Sequence, residues 1–425
     1  MVLMEEKTEA RNSLDIGVSN SRIAYLGRLL PTLSETFVIR EAAALMRLGV
    51  PVELFSIYPP DRSHLHPELP DAAGLARVVF RPDTGDFWKA HYRFPGENWS
   101  SYGDALRKFV LRPEETAVRR LRTFFHFLMA PHAAALLKRY AISHVHAHFA
   151  NAAASVAMMA AHLAGISFSF TVHAYDLFVD DLLMEEKLRS ARFVATCSRF
   201  HVEYVREHYR SGRDARIEII HYGIDPRRFP APKRDRSARP LVLGVGRLVE
   251  TKGFHTLIEA CGLLNERGAP ITCVIVGAGI EEARLKRLAV ERGVSAQIVF
   301  TGALQPAEIL EQYNRADCLV VPSCVRNNDR DGMPNVLIEA MATGLPVVST
   351  RVSGIPELVR NNETGLLVEP DNPKELADAM ERLLKDRDLS DRLGQAGREL
   401  VLAEFDIHGS AKRLMELFPI NESTV

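Results

Sequence analysis

The chain has 425 residues, 47% of them hydrophobic and 25% charged, with a formal net charge of −1. That length suits about two or three domains, each able to bury its own core, and the composition is that of an ordinary soluble globular protein. A charge so near zero argues against a nucleic-acid binder steered by a strong positive field.

The first fifteen residues, MVLMEEKTEARNSLD, are polar and of mixed charge, unlike a signal or transit peptide. No apolar run approaches the roughly 20 residues of a spanning helix. Five cysteines (Cys197, Cys261, Cys273, Cys318, Cys324) are scattered without paired spacing. Together these features predict a cytoplasmic protein, soluble or peripheral to a membrane, in a reducing compartment.

In chain order, strands are expected at 22–27, 52–57, 77–80, 144–149, 167–173, 193–198 and 217–223, then at 240–246, 271–277, 297–302, 318–323 and 346–350. Helical patterns lie between most of them. Such alternation predicts an α/β chain of two doubly wound parallel sheets. The segment 225–240, rich in proline and basic residues, reads as the linker. The expected domains are therefore 1–228 and 229–405, with 406–425 a final helix placed to return to the first. Ligands bind such sheets outside the carboxyl ends of the strands, so two facing domains place a cleft there. The segment 85–140 fits least well. It holds Trp88 and Trp99 and then a basic, aromatic helical pattern, expected as one helix at 109–130.

Within this frame, GRLVETKG at 246–253 places two cations at the end of a buried strand. Gly244 and Gly246 let the backbone turn close to a ligand, and the following helix start offers free N–H groups to an anion. Arg247 and Lys252, expected in the loop and in the first turn of that helix, make the stretch a phosphate-sized site; the plainer reading is two solvated charges. The third glycine of a dinucleotide fingerprint is missing here and at 277–282.

The second stretch is DRDGMPN followed by VLIEAMA, residues 329–341. Pro334 suits a helix start. The backbone N–H groups of Gly332, Met333, Asn335 and Val336 then point at a phosphate. Glu339, a turn further on, is flanked by apolar residues and reaches a neighbouring pair of hydroxyls.

GVGRLVETKGFHTLIEA together with DGMPNVLIEAMATGLPVVST resembles the retaining glycosyltransferases of family 4, which have the GT-B fold. LSETFVIREAAAL (33–45), HAHFAN (146–151), FTVHAYDLF (170–178), HYGID (221–225) and GLLVEPDNP (365–373) agree with it. Within the family, LSETFVIRE and HAHFAN look most like bacterial colanic-acid and exopolysaccharide enzymes. The resemblance implies a hexosyltransferase-type enzyme taking a nucleotide-sugar donor and a glycan or polyprenyl-linked glycan acceptor. It implies that Arg247 and Lys252 hold the donor diphosphate and stabilise the leaving group. Glu339 would bind the ribose, and the loop from Gly332 to Asn335 would touch the diphosphate or the sugar. His173 would contact the donor sugar, and Gly302 to Leu304 would cradle the base. It also implies front-face transfer with retention of configuration. Asp331 stands where the family has glutamate, one methylene longer, which puts the exact sugar in question.

Asp329 and Asp331 imitate a metal-binding DxD, but the phosphate-clamping cations make a metal redundant, so no metal or cofactor is expected. His144, His146 and His148 alternate along one strand and share a face. Zinc, cleft lining and plain packing all fit them. Thr32 and Glu35 have capping-box spacing, or touch a ligand at the cleft. The basic aromatic stretch 109–130 either packs on its domain or lies on an anionic membrane. A nucleotide-sugar epimerase on the same fold and a non-catalytic nucleotide-sugar-binding subunit remain as alternatives.

Overall fold

The structure is a computed structural model that describes residues 21–32, 36–60, 69, 72–97, 99–232 and 239–420. The expectation for Glu35 and its loop, the first twenty residues and much of the linker lie outside the described residues.

Thirteen strands form two parallel sheets among the described residues. The first holds β1 (Arg22–Gly27), β2 (Val52–Ser56), β3 (Arg77–Val78), β4 (Ile142–His148), β5 (Ser167–Val172), β6 (Val194–Thr196) and β7 (Ile217–Ile219), in the order β3-β2-β1-β4-β5-β6-β7. The second holds β8 (Leu241–Val245), β9 (Thr272–Val276), β10 (Ile298–Gly302), β11 (Cys318–Val321), β12 (Val347–Thr350) and β13 (Leu366–Val368), in the order β10-β9-β8-β11-β12-β13. Each expected strand run contains a strand. β13, whose three residues are too short a run to stand out, was not expected.

Residues alternate across each sheet because successive side chains point to opposite faces. Ala24 and Leu26 enter one core, Ile23 and Tyr25 the other. Leu243 and Val245 go to one side of the second sheet, and Val242 to the other. The final helix, Ile407–Leu417, places Ile407, Ala411, Leu414 and Leu417 in the core beside Ile23 and Tyr25, so a segment following the second sheet covers a face of the first.

The run 217–223 leaves its sheet after Ile219 because the chain crosses there between the sheets. Ile224 N–H donates to Phe405 O at 2.9 Å, and Ile407 N–H to Ile224 O at 3.0 Å. A Cβ on Gly223 would stand 2.4 Å from Ile407 Cα, so the two crossing strands of chain touch backbone to backbone.

The stretch 109–130 is not one helix. A π-helical turn, Leu106–Val110, ends before Pro113, and a new helix starts at Ala117 with Thr116 capping the Arg119 amide. That helix runs to Arg139. Its second half is buried, whereas Val118, Leu121, Phe124 and Phe125 on its first half are exposed.

In each sheet the order reverses at one place, between β1 and β4 and between β8 and β11. Crevices open at such switch points. The loops after β8, β9 and β10 are laced together beside the second one. Gly246 N–H donates to Val276 O at 3.0 Å, and Gly277 N–H to Gly302 O at 2.9 Å. Gly277 has φ 145°, and a Cβ there would fall 1.8 Å from Gly246 O. Gly277→Ala is therefore expected to lower the stability of the second domain by about 2–4 kcal/mol. Urea unfolding followed by circular dichroism measures it, and an unchanged midpoint would contradict the lacing.

Candidate active site

The second sheet supplies the charged wall. After Gly246 the chain makes a 3-10 turn, Glu250–Lys252, and only then the helix Phe254–Glu266. Lys252 thus sits just ahead of that helix, not in its first turn as expected. Gly253 has φ 67° and passes so close to Pro322 O that a Cβ would stand 1.8 Å from it. Glycine is needed there to bring Lys252 against the loop after β11. The Lys252 stem lies under Gly246, with Cδ 3.5 Å from where a Cβ would stand.

Lys252 Nζ donates to Asp331 Oδ1 at 2.6 Å, and Ser323 Oγ donates to Asp331 Oδ2. Both side chains of the ion pair are about six-sevenths withdrawn from solvent, at 15% and 16% exposed. Both oxygens of Asp331 are thus held by protein donors. Arg247, by contrast, is exposed and forms no ion pair among the described residues. Its charge is felt at Asp329, whose pKa burial raises and whose neighbours Arg247 and Lys252 pull back down.

The loop Gly332, Met333, Pro334 is buried and leads into the helix Asn335–Ala342. Pro334 is the N-cap rather than a helical residue and offers no side-chain cap, so the first amides, at Asn335 and Val336, are open to an anion. Glu339 lies one turn further in. Its Oε1 accepts from Arg40 Nη2 at 2.9 Å and its Oε2 from Tyr313 Oη at 3.2 Å. Burial first, then the Glu339 carboxylate, holds the Tyr313 hydroxyl well above its ordinary pKa, so it stays a donor. Leu304 packs in the same apolar cluster as Tyr313, and Gly302, with φ 74°, anchors the preceding loop.

The first sheet supplies the opposite wall. His173 follows β5 and is buried among Phe37, Phe149 and Tyr222, with Phe149 at a ring separation of 4.2 Å. Its Nδ1 is 2.5 Å from Tyr222 Oη, while its Nε2 has no hydrogen-bond partner among the described residues. Burial pushes its pKa well down, so the ring is neutral. Its backbone N–H donates to the Asp176 carboxylate at 3.0 Å, which also accepts from Ala150 N–H. The fully buried Asp176 is raised to about 6 by desolvation, against the pull of those amides and of Lys187. Lys187, buried beside it, is lowered to about 7 and donates to the carbonyls of Ala150 and Leu182.

Beside the Arg40–Glu339 pair, further contacts join the walls. Gly332 packs on His201 so closely that a Cβ would lie 2.8 Å from the ring. Arg330 sits over the Phe178 ring at 4.9 Å. Glu357 caps the helix Arg199–His208 from the other domain, accepting from the Arg199 and Phe200 amides at 2.9 Å each.

The histidine strand forms a buried polar chain rather than an open lining. His144 and His146 share Ser169 Oγ at 2.7 Å each, and His146 also meets Thr171 Oγ1 at 2.9 Å. Glu41, His146 and His148 bring three potential ligand atoms within 4.8 Å of one another. Both ring nitrogens of His146 are nevertheless taken by hydroxyls, and Glu41 accepts from Tyr25 Oη at 2.7 Å. His148 stands apart from that network: neither ring nitrogen has a hydrogen-bond partner among the described residues, and its Nε2 lies 3.2 Å from Glu41 Oε1.

The structure therefore gathers Lys252, Asp331, the Gly332–Val336 loop and Glu339 on one wall and His173 on the other. Arg40, Tyr313, Ser323, Asp176, Tyr222 and Glu357 were not assigned from the sequence. Arg40 lies inside the noted stretch LSETFVIRE, and Tyr222 inside HYGID, so each stood in a marked segment without a role.

Two family models match the chain: Glycosyltransferase Family 4 over residues 34–228, and Glycosyl transferases group 1 over residues 227–400. The amylovoran biosynthesis glycosyltransferase AmsK of Erwinia amylovora is 28% identical over 414 residues, which cover 93% of this chain and 98% of the relative. The putative colanic acid biosynthesis glycosyltransferase WcaL of Salmonella typhimurium is 26% identical over 422 residues, covering 93% and 99%. The solved structure of Anabaena Alr3699/HepE in complex with UDP aligns with TM-score 0.68 at 16% identity, covering 93% of this chain and 98% of that one.

The Asp176 carboxyl carries a pH signature. Its folded pKa of about 6 lies above the ordinary 3.8, so its contribution to stability is full below pH about 4 and is lost as pH rises through about 6. On acidification from pH 6.5 to 4, the wild type is expected to gain about 2–3 kcal/mol relative to Asp176→Asn. Parallel urea-stability profiles would refute the raised value.

Proposed function

The chain belongs to the glycosyltransferases whose two domain families its halves match, and from that premise we propose that it moves a sugar from a UDP- or GDP-sugar to a hydroxyl of a glycan or lipid-linked glycan, in the synthesis of a bacterial surface polysaccharide. The relatives named for amylovoran and colanic acid biosynthesis support that class of product. The observation that carries the reading is the charged wall at the second sheet's switch point, where Lys252 pairs with Asp331 and Glu339 pairs with Arg40 of the first domain.

In this reading Arg247 and Lys252 grip the donor diphosphate with help from the open amides of Asn335 and Val336. The entering phosphate competes with Asp331 for Lys252, which frees Asp331 to accept from the donor sugar. Glu339 takes the ribose hydroxyls, and Gly302 to Leu304 bound the base. His173 is neutral and offers its unpartnered Nε2 to a sugar hydroxyl.

Transfer proceeds on the front face with retention. The bond from the anomeric carbon to the phosphate oxygen breaks as the acceptor oxygen bonds to that carbon. The acceptor's proton goes to the departing phosphate. The fixed cations stabilise the charge that develops on the leaving group, and the reaction runs without a metal.

No helix of the described residues is long and apolar enough to cross a membrane. A lipid-linked acceptor is met instead by a surface patch. Trp88, Tyr92, Trp99, Leu111, Leu121 and Phe125 are all exposed within one region of the first domain. Arg120 and Lys108 are exposed in the same stretch of chain, suiting an anionic bilayer surface.

Lys252→Ala is expected to weaken binding of the nucleoside diphosphate by about 1.5–3 kcal/mol, measured by calorimetry. Glu339→Ala should abolish transfer and keep a folded chain by circular dichroism. The deciding assay is nucleoside diphosphate release from a panel of UDP- and GDP-sugars in chelator, with and without a bacterial lipid-linked glycan extract. Release from one donor that rises with the extract supports the reading, whereas release only on adding a divalent metal would remove the metal-free clamp. For the surface patch, replacing Leu121 and Phe125 together by serine should abolish co-sedimentation with anionic vesicles. Undiminished co-sedimentation would take the patch out of membrane contact.

A further inference from the structure

Glu339 is held from both domains. Tyr313 comes from the same domain, whereas Arg40 lies 299 residues away on the helix Thr36–Arg47, which follows the first strand of the opposite sheet. The two partners take different oxygens. Arg40 donates to Oε1 at 2.9 Å and Tyr313 to Oε2 at 3.2 Å. An ionised carboxylate offers about four lone-pair sites, two on each oxygen. One site on each oxygen therefore stays open, which is the pattern that a pair of adjacent hydroxyls matches.

Arg40 is itself fixed. The side chains of Arg40 and Glu339 are 14% and 15% exposed, and Arg40 Nη2 also lies 3.3 Å from Thr36 Oγ1. Its neighbour Glu41 is tied to Tyr25, while Ile39 and Ala42 are fully buried, so the helix can neither rotate nor slide without breaking its core. A guanidinium stays charged at any working pH and presents its donors in a rigid fork.

We propose that Arg40 is a positioning residue for donor recognition: acting across the cleft, it holds the Glu339 carboxylate in the orientation that receives the vicinal hydroxyls of the donor's ribose. The proposal rests on the reading of Glu339 as the ribose acceptor. It adds that ribose recognition is shared between the domains, so that the nucleotide is read in full only when the two sheets stand at this spacing.

The test is the discrimination between a nucleoside diphosphate and its 2′,3′-dideoxy counterpart. UDP, GDP and both dideoxy analogues are titrated into the wild type, Arg40→Ala, Arg40→Lys, Glu339→Gln and the Arg40→Ala/Glu339→Gln double variant. In the wild type the ribonucleotide binds more tightly. Arg40→Ala should reduce that preference about tenfold, chiefly by weakening the ribonucleotide. Dideoxy binding should change little, which makes it a fold control within the same preparation. Arg40→Lys should restore part of the preference. The double variant should lose no more than Glu339→Gln alone. In turnover the Arg40→Ala defect should appear in the donor KM rather than in kcat.

Wild-type discrimination in Arg40→Ala would overturn the proposal, and so would tighter ribonucleotide binding, which would make Arg40 a competitor for Glu339. If instead the wild type fails to distinguish the two nucleotides, or Glu339→Gln still does, the ribose assignment of Glu339 falls and the proposal with it.

Discussion

A charge withdrawn from water needs a partner, and that requirement organises the space between the two sheets. Glu339 is met by Arg40 and Tyr313, and Asp331 by Lys252 and Ser323. Glu357 is met by two amides at a helix start, where the helix dipole favours a negative group. Asp176 is met by amides and the buried Lys187. Two of these four carboxylates, Glu339 and Glu357, find partners in the other domain. The relative placement of the sheets is thus held by polar pairing as well as by the apolar final helix, and each pair lies beside the cleft.

Pairing of this kind also prepares the site. A lysine left to itself between two domains would shift its pKa or swing out to water. Lys252 is held beneath Gly246 by Asp331, and the backbone around it is fixed by Gly253 against Pro322. Little reordering then remains for ligand binding, and side-chain ordering is one of the larger costs of association. The same logic applies to His173. Its backbone is held by Asp176 and its Nδ1 by Tyr222, which leaves Nε2 buried and without a hydrogen-bond partner among the described residues.

Much of this was legible in the sequence because it is local. Short apolar runs bounded by glycine marked the strands, and GRLVETKG and DGMPNVLIEA marked the charged wall, since each motif carries its own turn and helix start. The residues that were missed act at long range. Nothing near Arg40 or Tyr313 reveals that they meet on Glu339, because that meeting depends on how two sheets pack. The histidine triplet stayed open between three readings for a related reason. Alternation correctly placed the three on one face, but the hydroxyls that hold His144 and His146 belong to β5, and no property of β4 alone announces them. The 109–130 stretch failed locally: Pro113 breaks a pattern that composition alone makes look continuous.

The two cations of the clamp differ in a way that orders events at the site. Lys252 and Asp331 cancel, as do Arg40 and Glu339, so the paired interior carries no net charge. Arg247 stands outside this balance, exposed and without an ion pair among the described residues. Its charge remains solvated, and its field reaches Asp329. In the proposed reading an entering diphosphate therefore meets an exposed, unpaired cation before it reaches one that must be drawn from a carboxylate. The second step exchanges one anionic partner of Lys252 for another, so the lysine never loses its compensation while the cleft is dry. A cation that is always paired can be kept buried, and one that is always solvated can be kept free; the site uses each where its surroundings allow it.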